Sequence, residues 1–159
     1  MKVYTFEREM LIPVSVNEAW SFFSDPCNLK TITPLDLNFK ILSKNLPEKV
    51  YSGLLIDYFV SPFPGIKTRW VTEIKEVNEP YFFIDEQKEG SYALWKHKHS
   101  FEKTADGTLM KDEIEYSIPF SVLGIIAHAL FVKRKIKNIF DYRSKIISEL
   151  FLPDNISAA

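Results

Sequence analysis

Residues 94–118 read LWKHKHSFEKTADGTLMKDEIEYSI, two runs in which apolar or ring-bearing side chains take every second position, broken by Asp106-Gly107. Side chains on a strand alternate between faces, and Asp-Gly between two alternating runs is a strong hairpin signal. As a two-residue turn it sets Phe101 opposite Asp112, His99 opposite Ile114, His97 opposite Tyr116 and Trp95 opposite Ile118. On the other side Lys98 faces Glu115 and Glu102 faces Lys111, opposite-charge pairs that belong in water. The set Trp95, His97, His99, Phe101, Asp112, Ile114 and Tyr116 is therefore expected to point into the protein.

Upstream, strand-like segments run over residues 38–43, 54–60, 66–77 and 80–88, with Pro47, Gly53, Pro62, Pro64, Gly65, Pro80 and Gly90 at the breaks. A turn at Asn78-Glu79 places Trp70, Thr72 and Ile74 opposite Gln87, Asp85 and Phe83. For Asp85 to share a face with Trp95, the loop around Glu89-Gly90-Ser91 must hold an odd number of residues, with Gly90 in the left-handed position of a three-residue turn. A two-residue loop would turn Phe82, Ile84 and Glu86 inward instead.

The ends complete the pattern. Residues 3–12 form an alternating strand that stops at Pro13, and Ser15 with Glu18 makes a capping box opening a short helix. A second helical piece covers residues 26–32. Residues 122–150 lack proline and carry Leu123, Ile126, Leu130, Ile136, Ile139, Phe140, Ile146 and Leu150, the pattern of one long amphipathic helix. The expected class is α+β: a seven-stranded curved antiparallel sheet, two short helices after the first strand, and a long C-terminal helix inside the curl.

The chain has 159 residues, 20 basic and 21 acidic side chains and a formal charge of −1. That balance gives no general attraction to nucleic acid, and no nucleic-acid partner is expected. Contact with a membrane would have to be local, through the run Lys133-Arg134-Lys135 with Lys137, which reads more simply as a solvated helix face. No apolar run approaches the ~20 residues of a membrane span, and no signal-peptide pattern opens the sequence, so a cytoplasmic protein is expected. Cys27 is the one cysteine, which excludes an internal disulfide and suggests a small apolar role. Without a linker or repeat, the expected organisation is one domain over residues 1–151 with a tail at 152–159, as monomer or homodimer.

Burying Asp85, His97, His99 and Asp112 without partners would cost about 1 to 3 kcal/mol each, and more for an unpaired charge. They belong either to an internal hydrogen-bond network or to the wall of a cavity. A wide sheet around one helix cannot fill its whole interior with side chains, which favours the cavity.

Several ordered motifs carry a resemblance. They are Trp20-Ser21-Phe22-Phe23 with Asp25-Pro26, Ile32-Thr33-Pro34, Gly53 with Ile56-Asp57-Tyr58, Arg69-Trp70, and Phe83-Ile84-Asp85-Glu86-Gln87. The later ones are Trp95 to Phe101, Gly107 to Asp112, Tyr116 to Pro119, and Phe131 with Ile139-Phe140-Asp141-Tyr142-Arg143. Together they resemble the ligand-binding, polyketide cyclase-like bacterial group of the SRPBCC (START and Bet v 1-like) superfamily, sometimes labelled cell-division-inhibitor-like. The resemblance implies a helix-grip fold with a cavity between sheet and helix. It also implies binding of lipids, sterols, quinones, polyketides or hormones, with catalysis in only some members. Cys27-Asn28 departs from the acidic or polar residues usual there.

The expected function is binding or carriage of a small apolar or aromatic molecule. The expected lining is Trp70, Thr72, Phe83, Asp85, Gln87, Trp95, His97, His99, Asp112 and Tyr116. One alternative is a cyclase-, dehydratase- or hydrolase-type enzyme using His97, His99 and Asp112. Another is a protein-interaction role. His97 and His99 alternate onto one side of a strand, as metal ligands would, but too few convergent donors are assured, and neither metal nor cofactor is expected. Val60 to Gly65, with Phe63 between prolines, reads as a lid or a stiff hairpin end.

Overall fold

The computed structural model describes residues 2–63, 65–119, 126 and 131–151. Of the segment from Val60 to Gly65, expected as a lid or a stiff hairpin end, Pro64 lies outside the described residues and the Phe63 side chain is not described; most of residues 122–130 and the tail lie outside as well.

Strand β1 (Tyr4–Ile12) leads through Pro13 into helix α1 (Val16–Phe23). The capping box forms as expected: the Glu18 N–H donates to Ser15 Oγ at 3.3 Å, and the Ser15 N–H donates to Glu18 Oε2 at 3.0 Å. This satisfies backbone donors that the first helical turn leaves unpaired. The second helical piece is a 3₁₀ turn (Pro26–Lys30) opened by Asp25, whose carboxylate accepts from the Cys27 N–H at 2.8 Å. That start leaves Cys27 exposed, which corrects the small apolar role expected for it. A further 3₁₀ turn (Leu35–Leu37) follows Pro34.

Six more strands follow: β2 (Lys40–Ile41), β3 (Leu55–Phe63), β4 (Ile66–Asn78), β5 (Phe82–Glu89), β6 (Leu94–Thr104) and β7 (Gly107–Ser117). They form one antiparallel sheet in the order β1-β7-β6-β5-β4-β3-β2. Helix α2 (Lys133–Phe151) buries Ile136, Phe140 and Ile147 against it.

The β6–β7 hairpin differs in register from the expectation. Its turn is Ala105-Asp106, and Gly107 is already a ladder residue, paired with Thr104. The pairs are Phe101 with Met110, His99 with Asp112, His97 with Ile114 and Trp95 with Tyr116. Outside, Lys98 faces Glu113 and Lys96 faces Glu115, while Lys111 faces Ser100 rather than Glu102. Close approach to β1 explains the glycine: at φ +136, a Cβ on Gly107 would stand 2.2 Å from the Ile12 carbonyl oxygen. A slip of two positions preserves strand parity, so the expected inward set remains inward. His97, His99, Phe101, Asp112, Ile114 and Tyr116 are all buried.

Between β4 and β5 the connection is Glu79-Pro80-Tyr81, with a cis Glu79–Pro80 bond, rather than a tight Asn78-Glu79 turn. Thr72 pairs with Gln87 and Ile74 with Asp85, and a bulge between Ile74 and Glu76 then brings Val77 opposite Phe83. Between β5 and β6 the parity is the expected one, with Asp85 opposite His97 and Phe83 opposite His99. Gly90, however, is not among the left-handed glycines. Its value is room, because a Cβ there would stand 2.3 Å from Gln87 Oε1. Gln87 curls over this loop, donating from Nε2 to the Tyr92 carbonyl at 2.7 Å and accepting the Tyr92 N–H at 3.1 Å.

Candidate functional site

The concave face of the sheet, α2 and the segment after α1 enclose a cavity of about 190 Å³. Strand alternation supplies one wall: Ile56, Tyr58 and Val60 from β3, Trp70, Thr72 and Ile74 from β4, and Phe83 and Asp85 from β5. From β6 come Trp95, His97 and His99, from α2 Ile136, Ile139, Phe140 and Arg143, from the two 3₁₀ turns Leu29 and Leu37, and from between those turns Ile32.

Its aromatic side is continuous. Trp70 lies 5.5 Å from Trp95 and 5.6 Å from Tyr92, both near perpendicular, and stacks with Tyr58 at 6.2 Å. The polar handles of this group converge on Thr72: Trp70 Nε1–H donates to its Oγ1 at 3.1 Å, and the Tyr58 hydroxyl lies 3.1 Å from the same oxygen. Burial, reinforced by Asp85, pushes the Tyr58 hydroxyl far above its ordinary pKa despite the Thr72 bond, so it remains a neutral donor.

Beside it on the same face of the sheet lies the ionisable cluster, with His97 6.5 Å from Trp95. Asp112 Oδ1 is 2.9 Å from His97 Nε2 and 2.8 Å from His99 Nδ1, while Asp85 Oδ2 is 3.1 Å from His99 Nε2 and 3.7 Å from His97 Nδ1. The His97–Asp112 and His99–Asp85 contacts are hydrogen bonds. The His99 Nδ1 contact is close but out of line for one, so its pull is electrostatic. The two imidazoles lie against each other at 3.7 Å between centroids, and Phe83 stacks on His99 at 4.3 Å.

Environment separates the two histidines. Burial, together with the charge of His99, lowers the His97 pKa and outweighs the pull of Asp112. Burial opposes charge on His99 too, but there Asp112 and Asp85 together win and its pKa rises. Burial would raise the Asp112 pKa, yet the hydrogen bond from His97 and the charges of both rings hold it far below the carboxylate range. The opposite directions of these two shifts place charge more readily on His99, between Asp85 and Asp112, than on His97, whose Nε2 lies on Asp112.

Among the described residues, Asp85, His97 and His99 could hold a cation, since each offers a donor atom within 4.8 Å of the others. A metal at ~2.0–2.2 Å from each donor would fit that spacing. It would have to displace the proton between His99 and Asp85, and the cluster already pairs its charges without it.

Of the side chains expected to line the cavity, Trp70, Thr72, Phe83, Asp85, Trp95, His97 and His99 do so. Gln87, Asp112 and Tyr116 are not among the lining residues. Gln87 fastens the Tyr92 loop, Asp112 stands behind the histidines, and Tyr116 belongs to a satellite core with Ile114, Ile136 and Phe140. Tyr58 and Arg143, which the sequence offers only within the resemblance motifs, and Tyr92 line the cavity without being expected there. Tyr58 could have been found from its pairing with Trp70, and Arg143 from helix periodicity, since Ile136, Phe140, Arg143 and Ile147 form one stripe.

No protein-family model and no curated sequence matches the chain. Solved structures do. A protein of Thermus thermophilus superposes with a TM-score of 0.71 at 16% identity, covering 98% of this chain and 100% of that one. Ginseng major latex-like protein 151 from Panax ginseng gives 0.68 at 13% identity, covering 95% and 99%. A norcoclaurine synthase point mutant from Thalictrum, solved in complex with a transition state analogue, gives 0.65 at 15% identity, covering 94% and 96%. Identities this low speak to architecture, and the architecture agrees throughout: the chain has the helix-grip fold shared by Bet v 1-like and other SRPBCC proteins.

Proposed function

We propose that residues 1–151 act as one binding domain that takes a small, largely apolar, ring-bearing molecule into the cavity between the sheet and α2. The observation that carries this reading is a hollow of about 190 Å³ walled by Tyr58, Trp70, Tyr92 and Trp95, with the polar groups of Thr72, Asp85, His97 and His99 at fixed positions. An apolar cavity of ~150 Å³ suffices for benzene, while pockets for drug-sized ligands measure ~300–1,000 Å³. One or two fused rings therefore fit, and anything longer must project from the mouth. Aromatic walls supply the affinity, and a few fixed polar groups orient the guest.

Native mass spectrometry of the purified protein, followed by calorimetric titration with 2-naphthol, tests this. Binding in wild type and its loss in I139W, where an indole fills the hollow, is the expected result. Equal binding by both proteins would place the ligand elsewhere and end this reading.

One observation favours a second, catalytic reading. His97 is held neutral with Nε2–H on Asp112, which leaves Nδ1 as the acceptor of a general base beside a cavity. It predicts turnover of a ketone- or ester-bearing aromatic substrate that disappears in H97Q while affinity persists.

A further inference from the structure

Arg143 occupies a place where helix packing calls for an apolar residue. Ile136, Phe140 and Ile147 are the buried residues of α2, and Arg143 falls between them at the same helical phase, on the cavity wall. Its Nε and Nη1 are shielded from solvent and have no hydrogen-bond partner among the described residues. The guanidinium rests on the face of Phe140, with 4.7 Å between its carbon and the ring centroid. A half-buried guanidinium lacking a counter-ion is expensive, because burial removes water that nothing replaces.

The nearby carboxylates are already engaged. Asp85 accepts from His99, Asp112 accepts from His97, and Asp141, two residues before Arg143, is held by Arg8 and Lys137. Lys135, also on the cavity wall, is spoken for by Asp36 at 2.6 Å, and His99 is flanked by Asp85 and Asp112. Arg143 is thus left with unused donors beside an aromatic hollow.

We infer that the guest of this cavity is an apolar organic acid, whose ring system sits among Trp70, Trp95 and Tyr58 and whose carboxylate meets the guanidinium of Arg143. The inference rests on the binding reading above and narrows it to a ligand class. A monoanion matches this unpaired guanidinium, whereas a phosphate dianion would bring a second charge that no free cation among the described lining residues meets. Charge-assisted hydrogen bonds from guanidinium to carboxylate are among the strongest available to a protein, and stronger in a site sheltered from water.

Calorimetry at pH 7 with 2-naphthoic acid and its uncharged isostere 2-naphthamide, on wild type, R143M and R143K, tests this. Wild type should prefer the acid at least about tenfold, the discrimination expected of one buried charged pair. R143M should lose the preference while binding the amide as wild type does, and R143K should keep a weakened preference. A second readout needs no ligand: with its cation uncompensated, free R143M should melt several degrees above wild type. Equal affinity of wild type for acid and amide, or an undiminished preference in R143M, overturns the assignment of Arg143 and leaves the cavity reading standing. A lowered melting temperature in R143M overturns the claim that the guanidinium lacks a partner. Failure of wild type to bind either compound overturns both readings together.

Discussion

Asp112 holds two imidazoles at once, and the consequence is a pH dependence whose sign can be worked out group by group. His97 has its folded pKa below the unfolded value of about 6.5. Its contribution is present above that value and is lost as pH falls through the folded one. His99 has its folded pKa above about 6.5, so its contribution is present below that value and is lost as pH rises through the folded one. Asp112, depressed, contributes above its unfolded value near 3.9 and adds to the loss in stronger acid. Stability measured by urea unfolding should therefore peak near about pH 6.5 and decline on both sides. A monotonic rise from mild acid to mild base would contradict the split between the rings. NMR of the imidazole nitrogens across a pH titration should show His99 losing its proton at a higher pH than His97. Asp112→Ala removes the hydrogen-bond acceptor of His97 and a charge 2.8 Å from His99, and should cost about 3 to 5 kcal/mol in urea unfolding, as for other broken buried ion pairs.

Strand parity explains how the buried cluster could be read from sequence although the register could not. A slip of two positions in the β6–β7 ladder exchanged every partner of His97 and His99 yet left both rings on the concave side. The turn was misplaced because Asp106-Gly107 carries local hairpin chemistry, whereas Gly107 is required by a neighbour distant in sequence, the Ile12 carbonyl. Gly107→Ala should accordingly cost about 3 kcal/mol or more, since a left-handed backbone and a 2.2 Å approach to a carbonyl oxygen both resist a Cβ. Hydrogen exchange should locate the damage in the β1–β7 pairing, and uniform destabilisation without local loosening there would count against this explanation. Arg143 escaped notice for the opposite reason. Scored by hydropathy, an arginine on an amphipathic helix belongs to the solvated face, and only its phase relative to Ile136, Phe140 and Ile147 marks it as inward.

At the scale of the whole molecule, the cavity exists because one helix faces seven strands. The core divides accordingly into a large cluster around Trp20, Phe83 and Phe101 and a satellite around Ile114, Tyr116, Ile136 and Phe140. Phe140 joins this satellite to the polar site: its ring lies 4.9 Å from Phe6 on the edge strand and 5.7 Å, edge to face, from His97, and it carries Arg143 on its face. None of the motifs read from the sequence could disclose this, because it is a meeting of β1, β6 and α2 across the full length of the chain. Phe140→Ala should cost about 3 to 5 kcal/mol, the range for a buried aromatic truncated in a core that only partly collapses. The space released is continuous with the cavity, since Phe140 lines it. The variant should then enclose a three-ring guest such as 9-phenanthrol and bind it more tightly than wild type, from whose mouth it must project, while holding 2-naphthol more weakly. Calorimetry on the two proteins decides the matter, and a variant that loses stability without admitting the larger guest would show that α2 settles onto the sheet and closes the hollow.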